Sequence, residues 1–210
     1  MTVRYDLHVH TFRSADSLSS YEGIIRRVRR RGLTGIAVTD HNTIRGALEL
    51  AEIAPFPVIM AEEIRTREGE IIGYFLQEEI PRGLGLEETI GLVHAQGGVV
   101  SVPHPLDRVR AASAIGEAAL LRVIGLIDLI EGYNARCVYP ADNLRAQQIA
   151  RQHGKPLTAG SDAHIPWEIG RGYVELPAFD SPDQFVANLR AATVAGSARG
   201  GWVSFFSLFA

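Results

Sequence analysis

The sequence predicts an α/β fold closed into a barrel. Short apolar runs alternate with helical patterns along the chain, which indicates parallel strands joined by helices. This rhythm alone fits either an open doubly wound sheet or a closed barrel. No G-x-G-x-x-G or P-loop motif follows a strand, which weakens the nucleotide-binding open sheet. Polar residues collect at the carboxyl ends of the strands, where enzymatic barrels carry their catalytic groups, and a barrel also lets the first and last strands meet.

Seven strands and six helices follow from these patterns. The predicted strands are Val3–His8, Gly35–Val38, Val58–Met60, Ile71–Phe75, Val99–Val102, Leu126–Ile130 and Pro156–Ala159. The predicted helices are Ser20–Arg31, Ile44–Ile53, Leu86–Gln96, Ala111–Val123, Ala141–His153 and Ser181–Ala192. Ser19 or Ser20 caps the start of the first helix, and Gly32 and Gly97 each follow a helix end. We expect one domain over residues 1–210, with the apolar tail 201–210 packed on that domain or on a second subunit.

Composition excludes several classes of protein. The chain has 21 basic and 24 acidic residues, and the net charge of −3 argues against binding to duplex nucleic acid. One cysteine, Cys137, rules out an internal disulfide framework and fits a reducing compartment. The start of the chain lacks a signal-peptide pattern, and the apolar tail is too short to span a bilayer. We therefore expect a cytoplasmic monomer or weak homo-oligomer that makes no membrane contact.

Histidine and aspartate at metal-ligand spacing stand near both ends of the chain. His8 and His10 are two residues apart, so in a strand their side chains project from one face. Two adjacent imidazoles repel each other if charged, whereas a divalent cation gives both neutral rings a common partner. Asp162 and His164 repeat the alternation. The sequence therefore predicts a metal site where the two ends of the fold meet.

Five of the seven histidines lie in segments that end strands, and only His94 and His153 do not. These segments read HVH, TDHN, AEE, VPHP and GSDAH, and Asp16 follows His10 by six residues. In this order they resemble the PHP (polymerase and histidinol phosphatase) superfamily of metal-dependent phosphoesterases. The resemblance covers nearly the whole chain, from HVHTFRSADS through AVTDHNT and VPHPLDR to GSDAH.

The resemblance implies a distorted (β/α)7 barrel that holds three divalent metal ions, each Zn, Mn or Fe. The first metal is assigned to His8, His10 and Asp162. The second is assigned to His104 and to Glu63, which bridges it to the first. The third is assigned to Asp16, His41 and His164.

Some positions of the implied site stay open. Glu62 is the rival of Glu63 for the bridging role, although the second acid of the pair fits the family pattern better. After the sixth strand the family supplies one more ligand, for which Glu131 is the candidate and Asn134 the runner-up. Some relatives also carry a histidine in the strand at residues 71–74, and this chain lacks it. A metal bound there would have fewer protein ligands, or water would complete its coordination.

The resemblance implies hydrolysis of a phosphomonoester or a small phosphodiester by attack of a metal-bound hydroxide near Glu63. Mixed nitrogen and carboxylate ligation suits Zn, Mn or Fe better than Mg or Ca. Metals about 3.5–4 Å apart activate a shared water and clamp the attacking and leaving oxygens. Catalytic roles are predicted for Glu63 and Asp162, and for Asp40 as a residue that orients His41, with a simple turn role equally open. The substrate is a small phosphorylated molecule, with a nucleotide among the options.

Four arginines follow closely on strand-end motifs, and their planar guanidinium groups match the geometry of phosphate. They are Arg13, Arg108, Arg110 and Arg136. We expect at least one to contact substrate, with Arg108 and Arg136 as first choices. Asn134 joins Arg13, Arg108 and Arg136 as a predicted substrate-binding residue.

Alternative interpretations are weaker. A non-catalytic metal-binding module that serves a partner protein would not need so complete a ligand set. An amidohydrolase-like enzyme would need a bridging lysine late in a strand, and the only lysine, Lys155, precedes its strand. The run Arg26–Arg31 fits a nucleic-acid patch or a solvated helix face, and we favour the second because Gly32 ends the helix there. Cys137 is predicted to be a buried, inert thiol.

Overall fold

The computed structural model describes residues 1–198 and 201–205. Within these residues the strands are β1 (Thr2–Val9), β2 (Gly35–Val38), β3 (Val58–Thr66), β4 (Gly69–Tyr74), β5 (Val99–Val102), β6 (Leu129–Asn134), β7 (Leu157–Gly160), β8 (Gly172–Pro177), β9 (Thr193–Ala198) and β10 (Gly201–Phe205). The helices are α1 (Tyr21–Arg31), α2 (Arg45–Ile53), α3 (Leu86–Ala95), α4 (Gly116–Val123), α5 (Pro140–Gln152) and α6 (Pro182–Leu189). The strands form one sheet in the order β10-β9-β8-β1-β2-β3-β4-β5-β6-β7, which curls into a nearly closed barrel. The predicted barrel fold is confirmed.

The barrel closes where β1 meets the segment that follows β7. The His10 amide donates a hydrogen bond to the Ala163 carbonyl oxygen at 2.9 Å, and the Asp162 amide donates to the His8 carbonyl oxygen at 2.8 Å. These bonds hold the first and last strands of the barrel together at their carboxyl ends. They also place His8 in β1, and His10 just after it, directly beside Asp162.

Asp6 reinforces this closure from within the core. Its fully buried carboxylate accepts hydrogen bonds from the Ser161 amide at 2.9 Å and from the Gly170 amide at 2.8 Å. Burial raises the pKa of Asp6 to about 6, although these amides oppose the shift. Asp6 thus ties β1 to the chain on both sides of His164.

The sheet is not parallel throughout, which corrects the prediction from the β/α rhythm. β4 pairs antiparallel with both β3 and β5. Only residues 67–68 join β3 to β4, whereas a parallel crossover needs about a dozen residues or more. β3 also continues to Thr66 instead of ending at Met60, so Glu62 and Glu63 lie inside the strand rather than beyond its end.

Three further strands extend the sheet beyond the seven predicted. β8 pairs antiparallel with β1, β9 with β8, and β10 with β9. Residues 201–205 of the apolar tail therefore form β10, and residues 206–210 lie outside the described residues. The single domain over 1–210 and the packing of the tail on the domain or on a second subunit stay predictions.

The first helix begins and ends as its sequence predicts. The Ser20 side chain accepts a hydrogen bond from the Gly23 amide at 3.2 Å, and Gly32 ends the helix in the left-handed conformation with φ 63°. Ile24 and Val28, one turn apart, are fully buried and anchor the helix on the barrel. This packing fixes the position of α1 beside the carboxyl ends of β1 and β7.

The start of α4 differs from the prediction by five residues. The helix begins at Gly116 rather than Ala111, because Asp107 turns the preceding segment. The Asp107 carboxylate accepts from the Val109 amide at 2.9 Å and from the Arg110 amide at 3.2 Å. The turn carries the Arg110 side chain over the rim of the barrel.

The core is apolar on both faces of the central strands. In β4, the adjacent residues Ile71 and Ile72 are both fully buried, as expected where helices cover a sheet. Among the described residues, no helix combines the length and the apolar character needed to cross a membrane.

Candidate metal centre

The predicted ligands meet in one cleft at the carboxyl ends of the strands. The cleft has a volume of about 200 Å³. It is lined by Asp16, His41, Glu63, Glu70, His104, Arg110, Ser113, Arg136, Asp162 and His164. His8 and His10 lie directly beneath it and are fully buried.

Four candidate ligand atoms, from β1, β3 and the segments that follow β1 and β7, form a compact group. His8 Nε2 and His10 Nε2 are 3.1 Å apart. Glu63 Oε2 lies 3.4 Å from His8 Nε2 and 3.3 Å from His10 Nε2. Asp162 Oδ1 lies 3.7 Å and 3.5 Å from the same two nitrogens. Ligand atoms about 2.0–2.2 Å from a tetrahedral metal are about 3.3–3.6 Å from one another, and the separations in this group are close to that range.

Electrostatics in this group are strongly perturbed. Burial lowers the pKa of His10 to about 3, so His10 is neutral at physiological pH. Burial also acts on His8, but the carboxylates around it raise its pKa well above the usual value. The pKa of Glu63 is held well below its usual range, because the neighbouring imidazoles outweigh the effect of burial. Carboxylates and imidazoles packed this closely favour a cation between them.

Glu63 extends the group toward His104. Its second carboxylate oxygen, Oε1, lies 3.0 Å from His104 Nε2, while Oε2 faces His8 and His10. Glu70 Oε2 lies 4.0 Å from the same His104 nitrogen. Glu63, Glu70 and His104 together offer one ligand atom each within 4.8 Å of one another. The two oxygens of Glu63 therefore face two different sets of donors, as a bridging carboxylate must.

A more exposed group lies at the mouth of the cleft. Asp16 Oδ2 is 3.1 Å from His164 Nε2 and 3.6 Å from His41 Nε2. His41 Nδ1 is also 3.1 Å from Glu63 Oε2. His10, His41 and His164 form a further compact group, so His10 stands between the buried and the exposed groups.

Glu131 and Asn134, the candidates for an additional ligand, lie behind the ligand atoms. Glu131 Oε1 is 3.0 Å from His8 Nδ1, the nitrogen that faces away from Glu63. Glu131 Oε2 accepts hydrogen bonds from the His104 amide at 2.7 Å and from Asn134 Nδ2 at 2.9 Å. Asn134 Nδ2 also donates to Asp162 at 3.1 Å. Both carboxylate oxygens of Glu131 are thus engaged in holding other residues of the site.

Asp40 occupies a similar supporting position. Its buried carboxylate accepts from the Thr11 amide at 2.7 Å and from Ser14 Oγ at 2.8 Å. Ser14 Oγ lies 3.1 Å from His10 Nδ1 and accepts from the His41 amide at 3.0 Å. Burial raises the pKa of Asp40 to about 6. Asp40 therefore reaches both histidines through Ser14, and its predicted role of orienting His41 stays a prediction.

The backbone is strained at this rim. Four residues other than glycine have positive φ in the described chain, and three of them belong to the site or adjoin it. They are Asn42 (57°), His104 (28°) and Asp162 (53°). Left-handed backbone costs about 1–3 kcal/mol per residue and persists where the surroundings enforce it, typically at functional sites.

The predicted arginines divide into two pairs. Arg136 lines the cleft and donates to His164 Nδ1, and Arg110 lines it and donates to Asp162. Arg13 instead binds Glu49, with Nη2 2.6 Å from Oε1. Arg108, a first choice from sequence, binds Asp142 at 2.6 Å and does not line the cleft.

Sequence reasoning missed three contributors to the site. Glu70 enters the cleft because β4 returns antiparallel beside β3, a pairing that the rhythm of the sequence did not reveal. Ser14 lies between the motif residues His10 and Asp16, and the signal for its role is its spacing of four residues from His10. Asp6 precedes His8 by two residues, and its alternation with the histidines was the available signal.

The donor set fits divalent metal ions. Imidazoles and carboxylates from six strand ends converge with separations that suit coordination, and a cation would offset the repulsion between the buried acids. In the part of the chain that the structure describes, His104 Nδ1 is a buried side-chain atom with no hydrogen-bond partner. Lys155, by contrast, donates to the Ile127 carbonyl oxygen at 2.7 Å, away from the site.

Comparison with protein families gives two matches. The model described as PHP domain matches residues 6–96, and the model described as PHP-associated matches residues 140–194. His104 and Glu131 lie between the two matched ranges.

Two uncharacterized proteins of Methanocaldococcus jannaschii are similar in sequence. One is 33% identical over 200 residues, which cover 91% of this chain and 81% of the relative. The other is 37% identical over 147 residues, which cover 63% of this chain and 82% of the relative.

Solved structures share the fold at low sequence identity. A two-domain protein of Bacteroides vulgatus, described as containing a predicted PHP-like metal-dependent phosphoesterase, superposes with a TM-score of 0.75 and 20% identity over 93% of this chain and 65% of that one. An amidohydrolase of Chromobacterium violaceum with bound sulfate and no metal has a TM-score of 0.66 and 17% identity over 87% and 95% of the two chains. The chain thus spans slightly less than two thirds of the first protein, and these likenesses concern the fold.

Proposed function

Because this chain belongs to the PHP family, we propose that it is a metal-dependent phosphoesterase that hydrolyses a phosphomonoester or a small phosphodiester. The observation that carries the proposal is the compact group of His8, His10, Glu63 and Asp162, whose ligand atoms have the spacing of a metal site.

We propose three divalent ions, of Zn, Mn or Fe. The first is held by His8, His10, Asp162 and Glu63, the second by Glu63, His104 and Glu70, and the third by Asp16, His41 and His164. When bound, such ions lower the pKa of a coordinated water and stabilise negative charge on a phosphoryl group.

Glu70 would supply the donor that some relatives provide as a histidine in the strand at residues 71–74. Burial and the adjacent Glu63 carboxylate raise the pKa of Glu70. Two carboxylates facing one imidazole form a hard donor set, which suits Mn²⁺ better than Zn²⁺. Glu131, in this proposal, is a positioning residue that fixes His8 and His104.

The remaining residues bind and orient the substrate. Arg136 and Arg110 flank the cleft on the side of Asp162, and Arg110 takes the substrate role that sequence had given to Arg13 and Arg108. Guanidinium groups in a partly buried cleft bind phosphate oxygens with directed, charge-assisted hydrogen bonds. Asp40, through Ser14, keeps the His10 ring oriented. Asp162 holds Arg110 in place and carries a ligand oxygen, so one residue couples substrate and metal binding.

The test is a panel of phosphate esters assayed with Zn²⁺, Mn²⁺ and Fe²⁺ separately, together with elemental analysis of the protein. His8→Ala, Glu63→Ala and Asp162→Ala should each lower turnover at least about a thousandfold and reduce the bound metal. His94→Ala is the matched control, because His94 pairs with Asp128 at the surface and lies outside the cleft. Metal-replete Glu63→Ala with full activity would refute the mechanism. Bound metal without hydrolysis of any ester would favour the non-catalytic metal-binding module instead.

A separate measurement tests Glu70. Glu70→Gln should lose about one equivalent of metal while the other equivalents remain, as measured by elemental analysis after dialysis. Glu68→Gln is the control, since Glu68 lies in the same hairpin but pairs with Arg122 at the surface. Equal metal content in both variants would show that Glu70 is not a ligand.

A further inference from the structure

A second groove lies outside the metal centre, between α1 and the segment that follows β7. Its volume is about 420 Å³. We call it the arginine–tryptophan groove, and its main lining residues are Arg26, Arg27, Arg30, Ile165, Pro166 and Trp167. The arginines come from the run that the sequence analysis assigned to a solvated helix face. The structure places them instead along a concave surface.

The wall that carries Trp167 is held firmly in place. Gly23 of α1 lets Pro166 pack closely, because a Cβ atom at Gly23 would lie 2.8 Å from Pro166 Cγ. Arg27 Nη2 donates to the Trp167 carbonyl oxygen at 2.7 Å, and its Nε donates to the Ile169 carbonyl oxygen at 3.3 Å. The backbone is thus fixed while the Trp167 residue is 67% exposed. An exposed tryptophan on a fixed backbone is suited to contact a partner, because little conformational freedom is lost on binding.

Apolar surface lies next to the arginines in this groove. Ile165, Pro166 and Trp167 are consecutive in the chain, and all three line the groove. The arginines of α1 add their alkyl stems, which are apolar up to the charged end. Tryptophan and arginine are also the residue types that contribute most often to the affinity of protein–protein interfaces. The groove therefore has the composition of a protein-binding surface.

The groove also carries positive charge that the protein does not neutralise. None of the eight residues that line it is acidic. Among the described residues, Arg26 and Arg30 are exposed and form no ion pair, whereas surface arginines such as Arg122 are paired with carboxylates. Burial and three neighbouring arginines lower the pKa of Arg27, which reflects the excess of positive charge here. The groove is therefore complementary to an acidic partner.

A short acidic protein segment suits this groove better than a nucleic acid does. Single strands are bound by successive aromatic rings along a charged track, and Trp167 is the one aromatic residue that lines this groove. The net charge of −3 opposes a long polyanion but does not oppose a few carboxylates placed beside arginines. Arg26 and Arg30 are four residues apart, so their Cβ atoms are roughly 5–6 Å apart on one helix face. Two acids on the same face of an extended segment have a similar spacing, about 6.6 Å.

We propose that the arginine–tryptophan groove is a docking site for an acidic segment of a partner protein. Carboxylates of that segment pair with Arg26 and Arg30, and an apolar side chain of the segment packs on Trp167. The inference goes beyond the proposed function and does not depend on the chemistry of the metal centre. Trp167 follows His164 by three residues, so the two Cα atoms lie within about 11 Å of each other. A partner docked in the groove is therefore held beside the metal centre.

Binding is measured on the full chain by fluorescence anisotropy with three fluorescein-labelled peptides of equal length. The acidic and apolar peptide is Glu-Leu-Glu-Phe-Glu-Leu-Glu. In the second peptide glutamine replaces every glutamate, and in the third serine replaces every apolar residue. The first peptide should bind at least about tenfold more tightly than either of the others, because it alone offers both carboxylates and apolar side chains. Equal binding of the three peptides, or no binding of the first, would overturn the proposal.

Substitution of Trp167 tests the apolar contact. Trp167→Ala should weaken binding of the acidic and apolar peptide about 30-fold, the effect expected for a residue that dominates an interface. Tyr139→Ala is the matched control, because Tyr139 is an exposed aromatic residue that does not line the groove. An affinity of Trp167→Ala equal to that of Tyr139→Ala would contradict the assignment of the groove.

Substitution of the two unpaired arginines tests the charged contacts. Arg26→Ala combined with Arg30→Ala should weaken binding of the same peptide about tenfold at low salt and less at high salt, because salt screens exposed ion pairs. Arg29→Ala combined with Arg151→Ala removes the same charge from exposed positions that do not line the groove. Equal weakening by the two double variants would show that net charge, and not the groove, attracts the peptide.

Two further measurements distinguish the acidic segment from other occupants. A fluorescein-labelled octathymidylate that binds more tightly than the acidic and apolar peptide, and loses binding in Trp167→Ala, would replace the proposed partner with a nucleic acid. Sedimentation that shows self-association of the chain, abolished by Trp167→Ala, would replace it with a second copy of this chain. Weaker binding of the octathymidylate and no self-association through Trp167 are the results expected for an acidic partner protein.

Discussion

The variant Glu131→Gln distinguishes two possible roles of Glu131, which are direct binding of a metal and positioning of the metal-binding His8. The carboxylate makes three contacts, through Oε1 with His8 Nδ1 at 3.0 Å and through Oε2 with the His104 amide at 2.7 Å and Asn134 Nδ2 at 2.9 Å. A glutamine oxygen in the place of Oε2 keeps the last two contacts. Its NH₂ group then faces His8 Nδ1, where an acceptor stood before.

The expected magnitude follows from this single lost contact. If His8 keeps its proton on Nδ1, two donors face each other and a charge-assisted hydrogen bond worth about 1.5–3 kcal/mol is lost. If the proton moves to Nε2, that nitrogen can no longer bind a metal. We therefore expect the affinity for the metal at His8 to fall about 10- to 100-fold, with the number of sites unchanged.

The assay is competition for Zn²⁺ against a chromophoric chelator, with the stoichiometry measured by elemental analysis. Glu117→Gln provides the same substitution in an exposed pair with Arg145 and should leave the affinity unchanged. An affinity of Glu131→Gln within about twofold of the unaltered protein would refute the positioning role. Loss of a whole metal equivalent would refute it too, because Glu131 would then be a ligand, as the family pattern implied.

Two more predictions concern packing and substrate binding. Gly46→Ala places a Cβ atom onto the buried Asp40 carboxylate, so the free energy of unfolding should fall by about 1–3 kcal/mol in urea titrations. At Gly91 a Cβ atom would have no other atom within 4 Å, so Gly91→Ala should raise the free energy of unfolding by about 0.5–1 kcal/mol. Equal changes in the free energy of unfolding for the two variants would show that the close packing at Gly46 does not limit stability. Arg136→Ala should lower kcat/KM for a phosphate ester about 10- to 100-fold, as expected for the loss of a charge-assisted contact. Arg108 instead binds Asp142 outside the cleft, so Arg108→Ala should change kcat/KM less than about threefold. A larger effect of Arg108→Ala on kcat/KM would support the prediction from sequence that Arg108 contacts substrate.

Much of the candidate site was predictable because the spacing of candidate metal ligands along a strand follows local rules. A strand places residues two apart on one face, so His8 and His10 had to act together wherever β1 lay. A barrel collects the carboxyl ends of its strands at one rim, so His104, Asp162 and His164 were expected to join them. Every one of these residues lies in or directly beneath the cleft.

The supporting residues were harder to predict because their roles depend on contacts between distant segments. Glu131 is 123 residues from His8, yet its carboxylate lies 3.0 Å from the His8 ring. Arg108 and Arg110 have similar positions in the sequence. Only the turn made by Asp107 directs Arg110 into the cleft, while Asp142 on α5 holds Arg108 away from it.

The sequence by itself determined the alternation of strands and helices, the barrel and the residues able to bind metal, because side-chain periodicity and donor chemistry are local properties. Only the tertiary structure decided which way β4 runs, and hence that Glu70 reaches the cleft beside Glu63 and His104. It also decided that Glu131 contacts His8 and that Trp167 is exposed beside the arginines of α1. These outcomes depend on which segments pack against each other, and no pattern within a single segment encodes that pairing.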